Sequence, residues 1–396
     1  MVVGPSPSQC VASAEYKALK LVCIIPSLNG GGAERVLSQL ASMLAKREHD
    51  VTLITLDDGK HDRHLIAEQV RRLNLDVMTR STRNQKANAF VRLAQSIKRL
   101  SRLRSAFRES DPDVILSFCD QMNVMTLIAA SRTGIPVVAC ERSDPRHQSL
   151  SQPWEWLRGS TYPNAFRVVA LTQEVAEHLQ EEYRANTTTI ASAIASPPNP
   201  SPRDIACQSR KILAMGRLEH EKGFDRLIEA FGKMTDKHPE WMLSIVGDGS
   251  QREALERQIS ELHLTARVTL HGWLQDPWKQ HLDSCFFVLP SRYEGFPSAL
   301  LEAMCRGIPV LTVDCDSGPR AITHRMEDQT GHPGAMITAN DSNGLVSGIE
   351  AMITNPTARE EFGQRGVAVA DCFGWEHMVS QFESLLREAA SDRSAS

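Results

Sequence analysis

The sequence predicts an α/β protein built from two doubly wound parallel sheets that face each other across a central cleft. Three observations predict it. Short apolar runs alternate with helical stretches, as a parallel sheet covered on both faces requires. The same rhythm occurs twice, on either side of a Pro- and Ser-rich break. The chain, at 396 residues, exceeds the usual size of a single core.

In order, LVCIIPSL (21–28) reads as a buried strand, GGAERVLSQLASMLAKREH as a helix and VTLITLD as the next strand. DVILSF (113–118), IPVVAC (135–140) and FRVVALT (166–172) continue the sheet. ASAIASPPNPSPRD (191–204) continues neither helix nor strand and marks an interdomain hinge. KILAMGRL (211–218), WMLSIVGDG (241–249), RVTLHGW (267–273), CFFVLPS (285–291) and IPVLTVDC (308–315) then form a second sheet, separated by helical patterns such as GFDRLIEAFGKM. GWEHMVSQFESLLREAA (374–390) is an amphipathic helix with a charged tail behind it. The expected division is a flexible segment 1–17, a Rossmann-like domain 18–195, a second one 205–372, and a final helix 373–390.

Hydrophobic residues at 41% and charged residues at 23% suit an ordinary globular protein. No apolar run reaches membrane-spanning length, and residues 1–15 lack the pattern of a secretion signal, so a cytoplasmic location is expected. The nine cysteines show no Cys-x-x-Cys pair and stand in apolar contexts such as those of Cys23 and Cys140. Reduced core thiols are expected rather than disulfides or zinc ligands.

Charge is sorted along the chain. Residues 60–110 hold 13 Lys or Arg against 4 Asp or Glu, a local +9 in a chain of net −4, so the remainder carries −13. Within this segment Phe90, Leu93, Ala94, Ile97, Leu100, Leu103 and Phe107 recur at helical spacing, with Arg92, Lys98, Arg99, Arg102 and Arg108 mostly off that face. A solvated basic face is one reading; peripheral contact of residues 88–108 with an anionic membrane is the other. Nucleic acid is not an expected partner, because no aromatic residue lies among the charges on that face.

Ligands of open parallel sheets bind beyond the carboxyl ends of the strands, so the residues there carry the function. Asn29 to Arg35 places three glycines between strand and helix, where backbone can approach a ligand closely. Its spacing is neither the dinucleotide fingerprint nor a Walker loop. In the second half, Arg217 and Lys222 put two cations over the cleft, one able to grip a pyrophosphate in a bidentate way and the other as a point charge. A surface pair of Arg217 with Glu219 or Glu221 is the plainer alternative.

In SRYEGFPSALLEAMCRGIPVL (291–311), a helix is expected from Ser298 to Arg306, with Pro297 in its first turn and a stop at Gly307. The amides of Gly295, Phe296, Ser298 and Ala299 then face the cleft. Glu294 and Glu302 lie on opposite sides of the helix start, each suited to accept from a vicinal diol. A ligand with two diols joined by a diphosphate fits: a nucleotide sugar, its hexose near Glu294 and its ribose near Glu302. The carboxylates do not converge as a metal site would need, so no metal is expected.

SLNGGGAERVLSQLA, GRLEHEKGFDRLIEAF, IVGDGSQREALE, VTLHGW and above all EGFPSALLE resemble glycosyltransferase family 4, the retaining GT-B transferases, from about residue 18 to 390. The resemblance implies a GT-B fold whose last helix, from Trp375, crosses back to the first domain. It implies a metal-independent, cofactor-free transferase that keeps the anomeric configuration, with Arg217, Lys222 and Glu294 as catalytic residues. The donor would be held by Gly31, Gly32, Gly216, Arg217, Lys222, Trp273, Glu294, Gly295, Phe296, Pro297, Ser298 and Glu302.

Many relatives carry a histidine after the strand matching IPVVAC, where this chain has Cys140-Glu141-Arg142-Ser143-Asp144-Pro145. A subset that extends lipid-linked or surface glycans is similar here. It implies an acceptor side formed by Asp120, Asn123, Glu141, Arg142 and Asp144, with hexose or N-acetylhexosamine donors linked to UDP. An internal ion pair is the other reading of Glu141 and Arg142. After the last strand, THRMEDQTGHPGAMIT replaces the asparagine-glycine turn and apolar strand that the resemblance implies. Two other readings of the whole chain are a GT-B sugar-nucleotide epimerase and a non-catalytic nucleotide-sugar-binding partner.

Overall fold

The computed structural model describes residues 17–29, 31–78, 89–148, 150–194, 209–274, 276, 278, 284–324 and 332–395, with the side chains of 89–94, 316, 317, 394 and 395 left aside. The expectations for residues 1–16, for most of the hinge, and for Phe90, Arg92, Leu93 and Ala94 lie outside the described residues or side chains.

The first sheet contains β1 (Lys20–Ile25), β2 (Asp50–Thr55), β3 (Arg71–Asn74), β4 (Val114–Phe118), β5 (Val137–Cys140), β6 (Arg167–Ala170) and β7 (Thr187–Thr189). All pairings are parallel and the spatial order is β3-β2-β1-β4-β5-β6-β7. The second contains β8 (Lys211–Met215), β9 (Met242–Val246), β10 (Val268–Leu270) and β11 (Phe286–Leu289), then β13 (Val310–Val313) and β15 (Met336–Thr338), in the order β10-β9-β8-β11-β13-β15 and again parallel. Between them in sequence, β12 (Tyr293–Glu294) and β14 (Asp316–Ser317) form a separate two-stranded ribbon.

The strand order reverses between β1 and β4 in one sheet and between β8 and β11 in the other. Each reversal opens a crevice at the carboxyl ends.

Helices cover both sheets: α1 (Gly32–Lys46), α2 (Ala89–Ser110), α3 (Asp120–Ala130), α4 (Gln152–Thr161) and α5 (Gln173–Tyr183) in the first domain. The second has α6 (Phe224–Gly232), α7 (Arg252–Glu261), α8 (Ser298–Met304), α9 (Pro319–Thr323), α10 (Ser342–Thr354) and α11 (Pro356–Asp371), and α12 (Trp375–Ala395) ends the chain.

The alternation of a strand sends Leu21, Cys23 and Ile25 to one face of the first sheet and Val22 and Ile24 to the other, all buried in separate clusters. The cluster on the first face also takes in Met378, Val379, Phe382, Leu386 and Ala389, so α12 packs on the amino-terminal domain. Each large apolar side chain buried there contributes about 1.5–3 kcal/mol. Polar contacts fix its angle: Glu383 accepts from Arg47 at 2.7 Å and Arg387 at 2.7 Å, and lies 3.2 Å from His49 Nε2. The Leu19 amide donates to His49 Nδ1 at 3.1 Å, which leaves the proton on Nε2 to face Glu383.

Helix α2 departs from its expected stripe. Leu103 and Phe107 are buried, but Ile97 is 59% exposed, so the apolar face is narrower than the periodicity suggests. Lys98, Arg102, Arg104 and Arg108 are exposed, while Arg99 turns inward to donate to the Val77 carbonyl at 3.4 Å. Cys23 and Cys140 are buried, and burial pushes the Cys23 thiol up to about 12 and Cys140 well above its ordinary value.

Candidate active site

The carboxyl ends of the two sheets enclose one cleft with two adjoining lobes. The first, about 540 Å³, is lined by Arg142, Ser143, Asp144 and Gln148 from one domain and by Lys222, Tyr293, Glu294 and Phe296 from the other. The second, about 590 Å³, is lined by Gly31, Arg35 and His64 opposite Asp248, Trp273, Trp278, Glu302 and Arg306. Gly32, Gly216, Arg217, Ser298 and Ala299 line both lobes, so they mark the passage between them.

Local folding places the acids and cations. The turn after β8 ends at Gly223, whose φ of +67° is left-handed; an added Cβ would lie 2.1 Å from the Pro290 carbonyl oxygen. That close approach seats Lys222 beside the loop after β11. The ribbon pairs Glu294 with Ser317, fixing its backbone at the cleft wall. Its Oε1 then accepts from Lys222 Nζ at 2.7 Å and from Ser291 Oγ at 2.7 Å.

Arg217 is 74% exposed and reaches Glu221 at 3.4 Å. So exposed a pair is worth at most about 1 kcal/mol, too little to hold the guanidinium away from an anion. Glu219 instead accepts from the Ser250 amide at 3.0 Å and hydroxyl at 2.5 Å.

In the second lobe, Glu302 Oε1 accepts from Arg35 at 2.7 Å and Oε2 from the indole of Trp278 at 2.7 Å. Arg306 sits over the Trp278 ring at 4.5 Å. Trp273 is 63% exposed, with the Arg63 guanidinium 5.8 Å from its ring centroid. Sequence reading missed Arg35 and Trp278 as partners of Glu302. Arg35 stood in the glycine-rich motif already singled out, which is the one signal that could have found it.

Helix α8 begins at Ser298 as expected but Pro297 precedes it at the cap, and the regular helix ends at Met304, with a turn to Gly307 at φ +69°. The Ser298 amide donates to Phe296 O at 3.0 Å, so it is not the open donor expected of it. Gly295 approaches the other domain, its Cβ position 3.6 Å from the Asp144 amide, and His147 stacks on Tyr293 at 4.7 Å across the cleft.

The expected acceptor residues separate into two groups. Arg142 and Asp144 line the first lobe. Arg142 donates to Ser192 Oγ at 2.6 Å and lies over Phe118 at 5.2 Å; Asp144 takes the Arg146 guanidinium at 2.7–3.2 Å.

Glu141, Asn123 and Asp120 do not line either lobe. Glu141 turns into the domain interior, where it accepts from Tyr162 OH at 2.8 Å and Ser143 Oγ at 3.1 Å, with Arg158 4.0 Å away. Asn123 is fully buried and donates to Cys140 O at 3.0 Å; Asp120 lies 3.9 Å from Arg158. Burial raises the Glu141 carboxyl despite the Arg158 charge, and raises the Tyr162 phenol well above its ordinary value. Burial opposes the Arg158 charge as well, but Glu141 and Tyr162 outweigh it and raise its pKa. The internal-pair reading holds for Glu141, with Arg158 rather than Arg142 as its partner.

Chemically, the cleft can accept a doubly anionic group at the passage and hydroxyl groups at either end. Among the described residues no three of His, Cys, Asp and Glu gather as a cation site requires.

Comparison with known proteins agrees in both halves. The profile "Glycosyl transferase 4-like domain" matches residues 31–191 and "Glycosyl transferases group 1" matches 199–368. The chain is 24% identical, over 93% of its length and 99% of the relative's, to a Campylobacter jejuni alpha-1,4-N-acetyl-D-galactosaminyltransferase named for the acceptor GalNAc-alpha-(1->4)-GalNAc-alpha-(1->3)-diNAcBac-PP-undecaprenol. Sucrose-phosphate synthase from Thermosynechococcus elongatus superimposes with a TM-score of 0.79 at 17% identity, covering 94% of this chain and 99% of that one. HepE from Anabaena, solved with UDP and glucose, gives 0.71 at 20% identity, covering 93% and 100%.

Proposed function

The chain belongs to the family 4-type GT-B glycosyltransferases, and on that premise we propose that it moves a hexose or N-acetylhexosamine from a UDP-sugar to a glycan or lipid-linked glycan, with retention and without metal or cofactor. The observation that carries the reading is the two-lobed cleft, with Glu294 in one lobe, Glu302 in the other and Arg217 at the passage between them.

In this reading the diphosphate lies at the passage against Arg217, Lys222 and the backbone of Gly32 and Gly216. The sugar occupies the lobe of Glu294, Gly295, Phe296 and Pro297, and the nucleoside lies beside Trp273, with its ribose diol on Glu302. Arg35 and Trp278 use two of the roughly four acceptor sites of the Glu302 carboxylate, which leaves others for the diol.

The acceptor hydroxyl enters over Arg142 and Asp144. The C1–O bond to the diphosphate breaks while a C1–O bond to the acceptor forms on the same face, and the acceptor proton passes to the leaving diphosphate. Arg217 and Lys222 stabilise the charge that grows on that leaving group. UDP as carrier is supported by the ligand of HepE, and a lipid-linked acceptor by the name of the Campylobacter relative.

No described helix is long and apolar enough to cross a membrane. The exposed Ile97 with Lys98, Arg102 and Arg108 supports peripheral contact of α2 with an anionic leaflet, where each cation contributes about 1 kcal/mol.

The test is incubation with a panel of UDP-sugars and polyprenyl-diphosphate-linked glycans, followed by proton NMR of the product. The expected product keeps the donor's anomeric configuration, forms with release of one UDP and is unaffected by a chelator. Inverted product or chelator-sensitive turnover contradicts the mechanism; an epimerised sugar without acceptor contradicts the activity.

A further inference from the structure

A second concavity of about 530 Å³ lies on the amino-terminal domain outside the cleft, between α4 and α5. Trp156 on α4 is 72% exposed at its edge. Gly159 and Ser160, three and four positions further on, share that face of the helix and carry no bulk, so the indole borders an open shelf. The facing wall is α5, where His178 and Glu182 stand four residues apart, and Tyr183 closes the floor. The floor is held rigid: Tyr183 OH donates to Glu155 at 3.1 Å, and the His178 ring meets Tyr183 edge-on at 6.2 Å.

Asp144 lines the sugar lobe, Pro145 and Arg146 line the groove, and the Arg146 guanidinium grips Asp144 with three hydrogen bonds of 2.7–3.2 Å. Residues 144–146 thus connect the sugar lobe to the groove along the chain. An exposed flat indole facing imidazole and carboxylate suits a ligand with apolar C–H faces and a rim of hydroxyls, which is a pyranose ring.

We propose that the groove between α4 and α5 is an extended acceptor subsite, in which Trp156 stacks against a sugar of the glycan acceptor lying behind the one that reacts. The proposal rests on reading the protein as a transferase to glycans, and it adds that the enzyme senses acceptor length.

The test is a titration of the full-length protein with fluorescently labelled, lipid-free α-1,4-linked N-acetylgalactosamine oligomers of one to four units, beside a UDP titration of the same samples. Affinity is expected to rise with oligomer length. Trp156→Ala should weaken binding of the longest oligomer roughly tenfold, as truncation of an aromatic anchor does, while Trp156→Phe retains most of it. The one-unit oligomer and UDP should bind both variants as they bind the wild type, which also shows that the variants fold.

Equal affinity of wild type and Trp156→Ala for every oligomer overturns the proposal, as does failure of any oligomer to bind or affinity independent of length. If Trp156→Ala instead changes only retention on phosphatidylglycerol–phosphatidylethanolamine vesicles, Trp156 is a membrane anchor and the subsite is wrong. Loss of UDP binding in the wild type would count against the nucleotide-sugar reading, whereas intact UDP binding with a flat length series counts against the groove alone.

Discussion

Among the described residues, a charged cluster beyond the strand ends of one domain can be set against one in the other, and the two face opposite ways. In the amino-terminal domain Glu141 points inward, where Tyr162, Ser143 and Arg158 surround it and its side chain is 0% exposed. In the carboxyl-terminal domain Lys222, Glu294 and Glu302 stand on the walls of an open cleft, and the Glu302 side chain keeps 16% exposure. The same residue types after the same kind of strand are thus interior scaffolding in one place and candidate machinery in the other. What distinguishes them is whether the partners of the charge belong to the domain's own core or line a space a ligand can enter.

The largest expected effect breaks the inward cluster. Replacing Arg158 by Met leaves Glu141 buried without its cation, at a cost of about 3–5 kcal/mol. Chemical denaturation should show that loss, with UDP affinity of the folded protein unchanged. A stable variant with altered UDP affinity would erase the contrast between the clusters.

Next comes Arg217→Ala in the outward cluster. Turnover should fall roughly 10²–10³-fold, as for loss of a charge-stabilising donor, while stability stays within about 0.5 kcal/mol because the side chain is on the surface. Steady-state kinetics and denaturation on one preparation measure both.

Glu383, where α12 clamps the first domain, is intermediate. Burial alone would raise its carboxyl, but hydrogen bonds from Arg387, Arg47 and His49 outweigh burial and hold it down to about 2. A depressed folded-state pKa means stability that is fully present above the ordinary value of 4.5 and lost as pH falls toward about 2. Glu383→Gln should therefore cost about 1–3 kcal/mol at neutral pH, with the difference from wild type shrinking between pH 4.5 and 2. A difference that persists undiminished at the acid end would mean packing, not charge, holds the helix.

Much of the fold was legible because buried parallel strands write themselves as apolar runs: LVCII, VILSF and FFVL are all strands. RRLN at β3 and TTT at β7 were not legible. They are edge strands, only partly buried, and their polar composition carries no such signal. In the site, Arg217, Lys222, Glu294 and Glu302 stand where strand ends and a helix start put them. Arg35 is 267 residues from its partner Glu302, and no local pattern announces that contact. Glu141 and Asn123 were assigned to the cleft because position after a strand does not say which way a side chain turns; here a tyrosine and an arginine contributed by a later helix and turn draw Glu141 inward.

The central claim is that the two lobes hold the two ends of one donor, and calorimetric titration of UDP and a UDP-sugar against Glu302→Gln and Glu294→Gln tests it most directly. Glu302→Gln should weaken UDP and the UDP-sugar by the same factor, whereas Glu294→Gln should weaken the UDP-sugar and leave UDP unchanged. If both substitutions affect both ligands alike, or if neither ligand responds to either, the two-ended site is wrong.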